Sequence, residues 1–517
     1  MKIHLLSTST MPSDQGLRTL SACLKREGHD VKMIFLPLGT WDYAEVYDKN
    51  ILAQLKEETK DSKLIGINAM ASTTKRAEQL INFFKELNIP TVWGGPHPTF
   101  FPDKSFELCD IVCVGEAEEA FIELAEKLEK NEDISKVENF FVRVNGKEFK
   151  NPVRKIGEKE LDWLAHPDYD IEDHKILENE KIIPFEERHL EGMIFFQTER
   201  GCPQACSFCT NNIMRELYKG KGELLRTHSV DYIIKELKRL KDRFSSIGVF
   251  DIRDETFTIR NIKWLREFSE RYKKEIGIRF KCLAEPASMS SESMSEEKMK
   301  LLVDAGLTDI IIGIQSGSDR VNFEVFSRFI TQEQLLKCAN VVNKFSDRLA
   351  VMYDIITANP YERSEDILES IKVLMKIPSP FYVSVNNLIY FEGTPLYKKA
   401  LEDGHIKTEK DSATNLNYWD RWAHIKLKKR NEYLTLVLNL MRGPSTKTRI
   451  GLMPRKFLSF LIKENVVDYN LKHLMPTYVA GSMVSMLDYG REHLVKPAYK
   501  MTPVSFKLWF DKVRYHA

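Results

Sequence analysis

Residues 200–209 read Arg200-Gly201-Cys202-Pro203-Gln204-Ala205-Cys206-Ser207-Phe208-Cys209. They follow Met193–Thr198, a short apolar run with the composition of a strand. Three thiolates spaced four and three residues apart can wrap one cubane iron–sulfur cluster, whose usual ligands are cysteines. Three ligands for four irons leave one iron open. Gly201 lets the chain turn sharply off the strand. A structural zinc site needs four ligands, and no fourth Cys or His lies nearby: His228 is 19 residues beyond Cys209, behind an expected helix.

Downstream, strand–helix alternation continues to about Phe391. Strands are expected at Ser246–Ile252, Arg279–Ala284, Asp309–Gln315, Val351–Ala358 and Tyr382–Tyr390. Six βα units are too few for a closed eight-stranded barrel, so residues 191–405 read as an open, partial (β/α)6 barrel. Upstream, residues 1–135 alternate apolar runs with amphipathic stretches. Strands are expected at Lys2–Ser7, Val31–Pro37, Leu64–Met70, Thr91–Gly95 and Asp110–Gly115, and helices at Leu17–Glu27, Lys75–Leu87 and Glu118–Lys130. Buried strands joined by helices imply an α/β doubly wound, Rossmann-like sheet, with its ligand at the C-terminal strand ends. Residues 136–190 read as a linker with one hairpin, Asn139–Phe149, turning at Asn145-Gly146. Residues 406–517 read as a mainly helical domain.

Composition bounds the setting. A chain of 517 residues, 43% hydrophobic and 29% charged, is a multidomain globular protein. Of the eight cysteines three crowd into one loop, and Cys23, Cys109, Cys113, Cys282 and Cys338 are scattered, which points to a reducing compartment and one metal site. Cys109 and Cys113, flanked by Ile111, Val112 and Val114, read as small buried hydrophobes. No apolar run approaches the ~20 residues that span a bilayer, and Met1-Lys2-Ile3-His4 does not open a signal peptide. The expectation is a cytoplasmic protein. From Arg421 onward, 18 Lys/Arg face 6 Asp/Glu, a net +12 on a chain whose total is +1. This basic end is read as a helical cap with a solvated cationic face, the competing reading being contact with an anionic membrane and a lipid-like substrate.

The CxxxCxxC spacing, with an aromatic before the last Cys, resembles the signature of the radical S-adenosylmethionine (SAM) superfamily. The resemblance implies a [4Fe–4S] cluster on Cys202, Cys206 and Cys209. SAM would chelate the open iron and be cleaved to a 5′-deoxyadenosyl radical, with Phe208 near the adenine. Gly313-Ile314-Gln315-Ser316-Gly317-Ser318 resembles the strand-four motif that contacts SAM ribose and methionine, with Gln315 where an acid is usual. The segment containing Asp254 and Glu255 resembles the acidic strand-two motif near the SAM amino group, and Arg328 sits where an arginine meets the SAM carboxylate. Tyr353-Asp354-Ile355-Ile356 and Phe391–Tyr397 resemble the fifth-strand and closing motifs. Tyr353 and Tyr390 are candidate substrate contacts, read by preference as packing residues with satisfied hydroxyls.

Residues 1–135 resemble the cobalamin-binding domain fused to one large radical SAM class. The matching features are Gln15-Gly16-Leu17, the loop Asn68–Thr74 with Met70, Ser72 and Thr73, Gly94-Gly95-Pro96-His97, and Gly115-Glu116-Ala117-Glu118. An Asp-x-His-x-x-Gly motif is absent, which implies cobalamin without a protein histidine on cobalt. His97 would line the loop or touch the corrin edge. The whole resemblance implies a cobalamin-dependent radical SAM methyltransferase acting on an unactivated carbon through the deoxyadenosyl radical and methylcobalamin. Alternatives are a radical cyclase or rearrangement enzyme, a tRNA methylthiotransferase-like enzyme, and a non-catalytic cobalamin or redox sensor. The implied partners are a small-molecule or lipid-like substrate and an external electron donor such as flavodoxin or ferredoxin, with no nucleic acid.

Overall fold

The computed structural model describes residues 1–38, 45–157, 160–407 and 427–472. The described residues of Met1–Ile247 and Ile389–Trp422 form one compact unit, and those of Gly248–Leu388 and Ala423–Ala517 a second.

In the first unit the apolar runs are strands: β1 (Lys2–Ser7), β2 (Asp30–Phe35), β3 (Leu64–Asn68), β4 (Thr91–Gly94) and β5 (Ile111–Cys113). They pair in parallel, in the order β2-β1-β3-β4-β5. Both faces are covered, which is why Ile3, Leu5, Leu6, Leu64, Ile65 and Val92 are fully or nearly fully buried. The helices α1 (Gln15–Arg26), α2 (Lys49–Thr59), α3 (Thr74–Glu86), α4 (Pro96–Phe100), α5 (Pro102–Leu108) and α6 (Glu118–Glu129) join them. α1 buries Leu17, Leu20 and Leu24, one stripe at helical spacing. This strand order reverses direction between β1 and β3, so the ligand crevice opens where the loops after these two strands diverge.

The expected linker is a departure. Residues 136–190 hold two hairpins, β6 (Phe140–Val144) with β7 (Lys147–Lys150), and β8 (Lys175–Glu178) with β9 (Lys181–Pro184). The first pairs antiparallel with β5 and the second adds to β2, giving a nine-stranded sheet, β7-β6-β5-β4-β3-β1-β2-β8-β9. The first hairpin is the one expected at Asn145-Gly146; the outermost strands β7 and β9 are short and face solvent, so they lack the apolar run that marks central strands.

After β10 (Met193–Phe196), a two-residue pair, β11 (Glu199–Arg200) with β12 (Arg226–Thr227), brackets the cysteine loop. The helices α7 (Asn211–Leu217) and α8 (Val230–Arg243) follow the loop and the pair. The second unit holds β13 (Val249–Ile252), β14 (Arg279–Ala284), β15 (Leu307–Gln315), β16 (Ala350–Thr357) and β17 (Tyr382–Asn387), parallel neighbours in that order. Each lies within a few residues of its expected position. Residues 310–315 alternate buried and half-buried positions, as a barrel strand does. An antiparallel β18 (Gly443–Pro444) closes the edge beyond β17. Beyond residue 426 the described helices are Lys429–Leu440, Arg455–Leu461 and Glu464–Lys472. The rest of the expected basic C-terminal domain, 408–426 and 473–517, lies outside the described residues.

Candidate functional site

The cysteine loop is shaped by its backbone contacts. Gly201 has φ +92°, and a Cβ there would lie 2.2 Å from the Leu224 carbonyl oxygen. Only glycine fits this departure from β11. The loop's carbonyls are then taken in turn. Arg215 Nη2 donates to the carbonyls of Cys202 (3.1 Å), Pro203 (2.8 Å) and Gln204 (3.2 Å). Asn212 Nδ2 donates to Ala205 (2.9 Å) and Cys206 (3.0 Å), and Leu396 N–H donates to the Ser207 carbonyl (2.9 Å). The closing motif thus sits against the loop, where a Cβ on Gly393 would lie 3.1 Å from Ile213 Cδ1. With its carbonyls occupied, the loop presents thiols rather than backbone. Cys202 is buried; Cys206, Phe208 and Cys209 are half-buried. Sequence reasoning missed Arg215 and Asn212, whose only signal was their place on the helix just after the cysteines.

His228 takes no part in a metal site. Its Nδ1 lies 3.1 Å from Asp162 Oδ1 and its ring stacks on Tyr232. Burial lowers its pKa to about 4. Among the described residues, no three His, Cys, Asp or Glu side chains are gathered to hold a single metal ion. Cubane ligation asks something different, one thiolate on each of three irons. Cys109 and Cys113 are buried small hydrophobes, as expected, with burial pushing both thiols up to about 12.

At the β1/β3 crevice, Asp14 organises the floor. It accepts from Leu17 N–H (3.3 Å), Ser7 Oγ (3.0 Å) and Asn68 Nδ2, so the N-terminus of α1 is already capped by a carboxylate. Gln15 Oε1 is buried without a hydrogen-bond partner, and a Cβ on Gly16 would meet nothing within 4 Å. Met70 is exposed, Ser72 half-buried and Thr73 buried, its hydroxyl bonded to Thr8 Oγ1 at 2.7 Å. Gly95 has φ +98°, and its Cβ would overlap Asn68 Oδ1 at 2.0 Å. Gly94 is half-buried and Pro96 exposed. An orphaned acceptor, an open glycine face and an exposed thioether at a switch point fit a bulky planar ligand with polar edges. His97 is inside the wall: Nδ1 is 3.2 Å from Thr74 Oγ1 and the ring stacks on Trp93. Burial, with Lys104 and Lys75, lowers its pKa to about 4.

Gly115, Glu116 and Glu118 lie in the turn after β5, where Glu116 pairs with Arg200 (3.2 Å) and Arg226, and Glu118 pairs with Arg200. Burial would raise the Glu118 carboxyl, but the Arg200 charge and hydrogen bond outweigh it and hold the group below its ordinary range. Gly115 abuts Tyr218, whose hydroxyl accepts from Glu116 N–H at 2.7 Å.

In the second unit, Gly313, Gln315 and Arg328 come together with a residue not foreseen, Glu285. Gln315 has φ +65° beside a register break in β15, and its Nε2 would lie 2.6 Å from a Gly313 Cβ. Arg328, buried, approaches Glu285 Oε1 at 3.9 Å, and that oxygen has no hydrogen-bond partner. The other oxygen, Oε2, caps Ser288 N–H at 3.0 Å. A buried carboxylate with one unsatisfied oxygen asks for a donor. Ser316 is withdrawn: its hydroxyl accepts from Ser318 N–H (3.1 Å) and faces Ser370 (3.4 Å). Asp254 is buried against Arg260 at 3.5 Å, while Glu255 is exposed. Tyr353 and Tyr390 are both buried, and Tyr390 departs from the expectation in having a hydroxyl without a partner.

Comparison with known proteins agrees with this layout. The B12 binding domain family matches residues 1–125 and the radical SAM superfamily residues 197–374. An uncharacterized methyltransferase of Pyrococcus horikoshii, PH0819, is 28% identical over 394 residues, 75% of this chain and 78% of that protein. Among solved structures, the cobalamin-dependent SAM radical enzyme OxsB aligns with a TM-score of 0.65 at 16% identity, covering 95% of this chain and 75% of that one. TsrM from Kitasatospora setae, a radical SAM methyltransferase solved with tryptophan and a SAM analogue, aligns at 0.60 and 15%, covering 79% and 77%. The two matched domains define a radical SAM enzyme with a cobalamin-binding domain. The cofactors of that class are a [4Fe–4S] cluster, SAM and cobalamin, and a methyltransferase is among the chain's relatives.

Proposed function

We propose that this enzyme transfers a methyl group to an unactivated carbon of a small molecule, with Cys202, Cys206 and Cys209 as the cluster ligands. The observation that carries this reading is the cysteine loop, whose carbonyls are bound by Arg215, Asn212 and Leu396 and which gathers three cysteines within eight residues. When bound, the cluster supplies the electron that cleaves SAM to a 5′-deoxyadenosyl radical, and cobalamin supplies the methyl carrier. The protein's part is placement. The Gly313–Gln315 bend and Arg328 receive SAM, Arg328 through its carboxylate, and Glu285 Oε1 accepts from a SAM hydroxyl or ammonium. Gln15, Gly16, Met70, Ser72, Thr73 and Gly94–Pro96 frame the corrin, with His97 fixing the wall behind it.

An external one-electron donor such as flavodoxin or ferredoxin completes the reaction, and reduced thiols suit a cytoplasmic setting. No helix among the described residues is long and apolar enough to cross a membrane. A lipid-like substrate rests on the charge of the C-terminal segment alone and stands second.

The test is anaerobic reconstitution with iron, sulfide and hydroxocobalamin, followed by the fate of SAM under dithionite. Methyl transfer requires both S-adenosylhomocysteine and 5′-deoxyadenosine. Deoxyadenosine alone, on cobalamin-loaded protein with substrate present, points to radical cyclisation or rearrangement instead.

A further inference from the structure

We infer that Glu116 is a positioning residue for the cluster loop: it neutralises two arginines that the loop's own strand pair forces together. The pair β11–β12 frames the cysteine loop, and its register sets Arg200 directly opposite Arg226. Like charges directly opposite in an antiparallel pair repel. Arg226 is 1% exposed, so water does little to screen it. The compensating charge comes from the loop after β5, in the cobalamin-binding domain. One carboxylate, Glu116, meets both guanidinium groups, with Oε2 at 3.2 Å from Arg200 and Oε1 on Arg226. Glu118 adds a second pair to Arg200. Two cations and two anions therefore close a neutral quartet two residues ahead of Cys202.

The far arm of the cluster segment returns to the same place. Tyr218, next after α7, accepts from Glu116 N–H at 2.7 Å and packs on Gly115. Both ends of the segment 200–218 are thus anchored on Gly115–Glu118. A loop held only by its own hydrogen bonds would keep its shape regardless of β5. This one is held by Arg215, Asn212 and Leu396 and also needs the β5 loop's carboxylate at its base, so assembly of the N-terminal domain favours loading of the cluster.

The inference rests on Cys202, Cys206 and Cys209 being the ligands, and the experiment separates the two. Full-length wild type, Glu116→Gln, Glu116→Gln/Arg226→Gln and Cys202→Ala are reconstituted anaerobically. Iron and sulfide per chain are measured, with the EPR signal of the dithionite-reduced cluster and its shift on adding SAM. Glu116→Gln leaves two arginines facing one carboxylate and should lose about tenfold in cluster content. The double variant is again balanced, Arg200 with Glu118, and should recover most of the cluster and the SAM-induced EPR shift. Lost hydrogen bonds alone would make the double variant at least as poor as the single one. Wild-type loading of Glu116→Gln, or a double variant no better than the single, overturns the inference. If Glu116→Gln is insoluble, the double variant still decides: soluble and loaded supports the charge balance, insoluble overturns it. Full cluster in Cys202→Ala would instead overturn the ligand assignment beneath it.

Discussion

A Cβ on Gly115 would lie 2.2 Å from the hydroxyl oxygen of Tyr218, so the turn after the fifth strand and the residue after the cluster helix are in direct contact through a missing side chain. Gly115 also has φ +86°, where an L side chain costs roughly 1–2 kcal/mol before any overlap. Gly115→Ala is expected to lower the thermal midpoint. The double variant with Tyr218→Phe, which removes the overlapping oxygen but also the acceptor of Glu116 N–H, should lose less than the two single variants summed. Differential scanning calorimetry of Gly115→Ala, Tyr218→Phe and the double variant measures that coupling.

Gly201 faces a harder obstacle, because the atom 2.2 Å away is the backbone carbonyl of Leu224. A flexible side chain could move; this carbonyl belongs to the chain leading into β12. Gly201→Ala should abolish cluster loading while leaving hydroxocobalamin binding by the β1/β3 crevice intact. Iron analysis beside equilibrium dialysis with hydroxocobalamin checks it, and loss of both together would show a general folding failure instead.

Arg215 bonds three successive loop carbonyls with one terminal nitrogen. Hydrogen bonds to a charged group are worth about 1.5–3 kcal/mol each when buried, and less here because Pro203 is exposed and water can substitute. Arg215→Ala should load cluster but release it faster under chelator, and Arg215→Lys, a single point donor, should lie between. The rate of bleaching with a ferrous chelator is the readout.

Glu285 and Arg328 form a buried pair at 3.9 Å with one carboxylate oxygen unsatisfied. If that oxygen accepts from SAM, Glu285→Gln should weaken SAM binding about tenfold, near 1.4 kcal/mol. Cobalamin binding should be unchanged. Equilibrium dialysis with SAM on the reconstituted enzyme measures it; an unaltered affinity removes Glu285 from the site.

His97 makes stability depend on pH. Burial holds its pKa at about 4 against 6.5 in the unfolded chain, so the unfolded state binds more protons between those values. Its contribution is fully present above pH 6.5 and is lost as pH falls toward 4, on the order of 3 kcal/mol if the site does not relax. His4 and His228, also held near 4 by burial, act in the same direction. Urea unfolding of wild type should weaken steeply over this window. His97→Gln, which keeps a polar group beside Thr74, should show a shallower decline.

The cysteine spacing made the cluster site legible at once, because ligand chemistry is local: three thiolates within eight residues need only a loop. The central strands were legible too, since burial on both faces leaves runs such as Ile310-Ile311-Ile312 in the chain itself. Of the two edge hairpins, the first was legible through its Asn145-Gly146 turn and the second, Lys175–Pro184, was not. The strand Lys147–Lys150, with only Phe149 shielded among exposed neighbours, carries no period to read.

Charged residues mark the sharper limit. Val114–Glu118 identified a turn after a strand, and its residues were matched to a ligand-binding motif. What approaches that turn is Tyr218, about a hundred positions away, and the carboxylates beside it meet Arg200 and Arg226. Likewise Glu285 looked like any strand-end acid until Arg328 was found beside it. The sequence by itself determined the cofactor chemistry and the alternation of strand and helix, because thiol spacing and apolar period are written in neighbouring residues. Only the tertiary structure decided which cation answers which carboxylate. A side chain's charge is a local property, but its partner is chosen by register and burial across elements far apart in the chain.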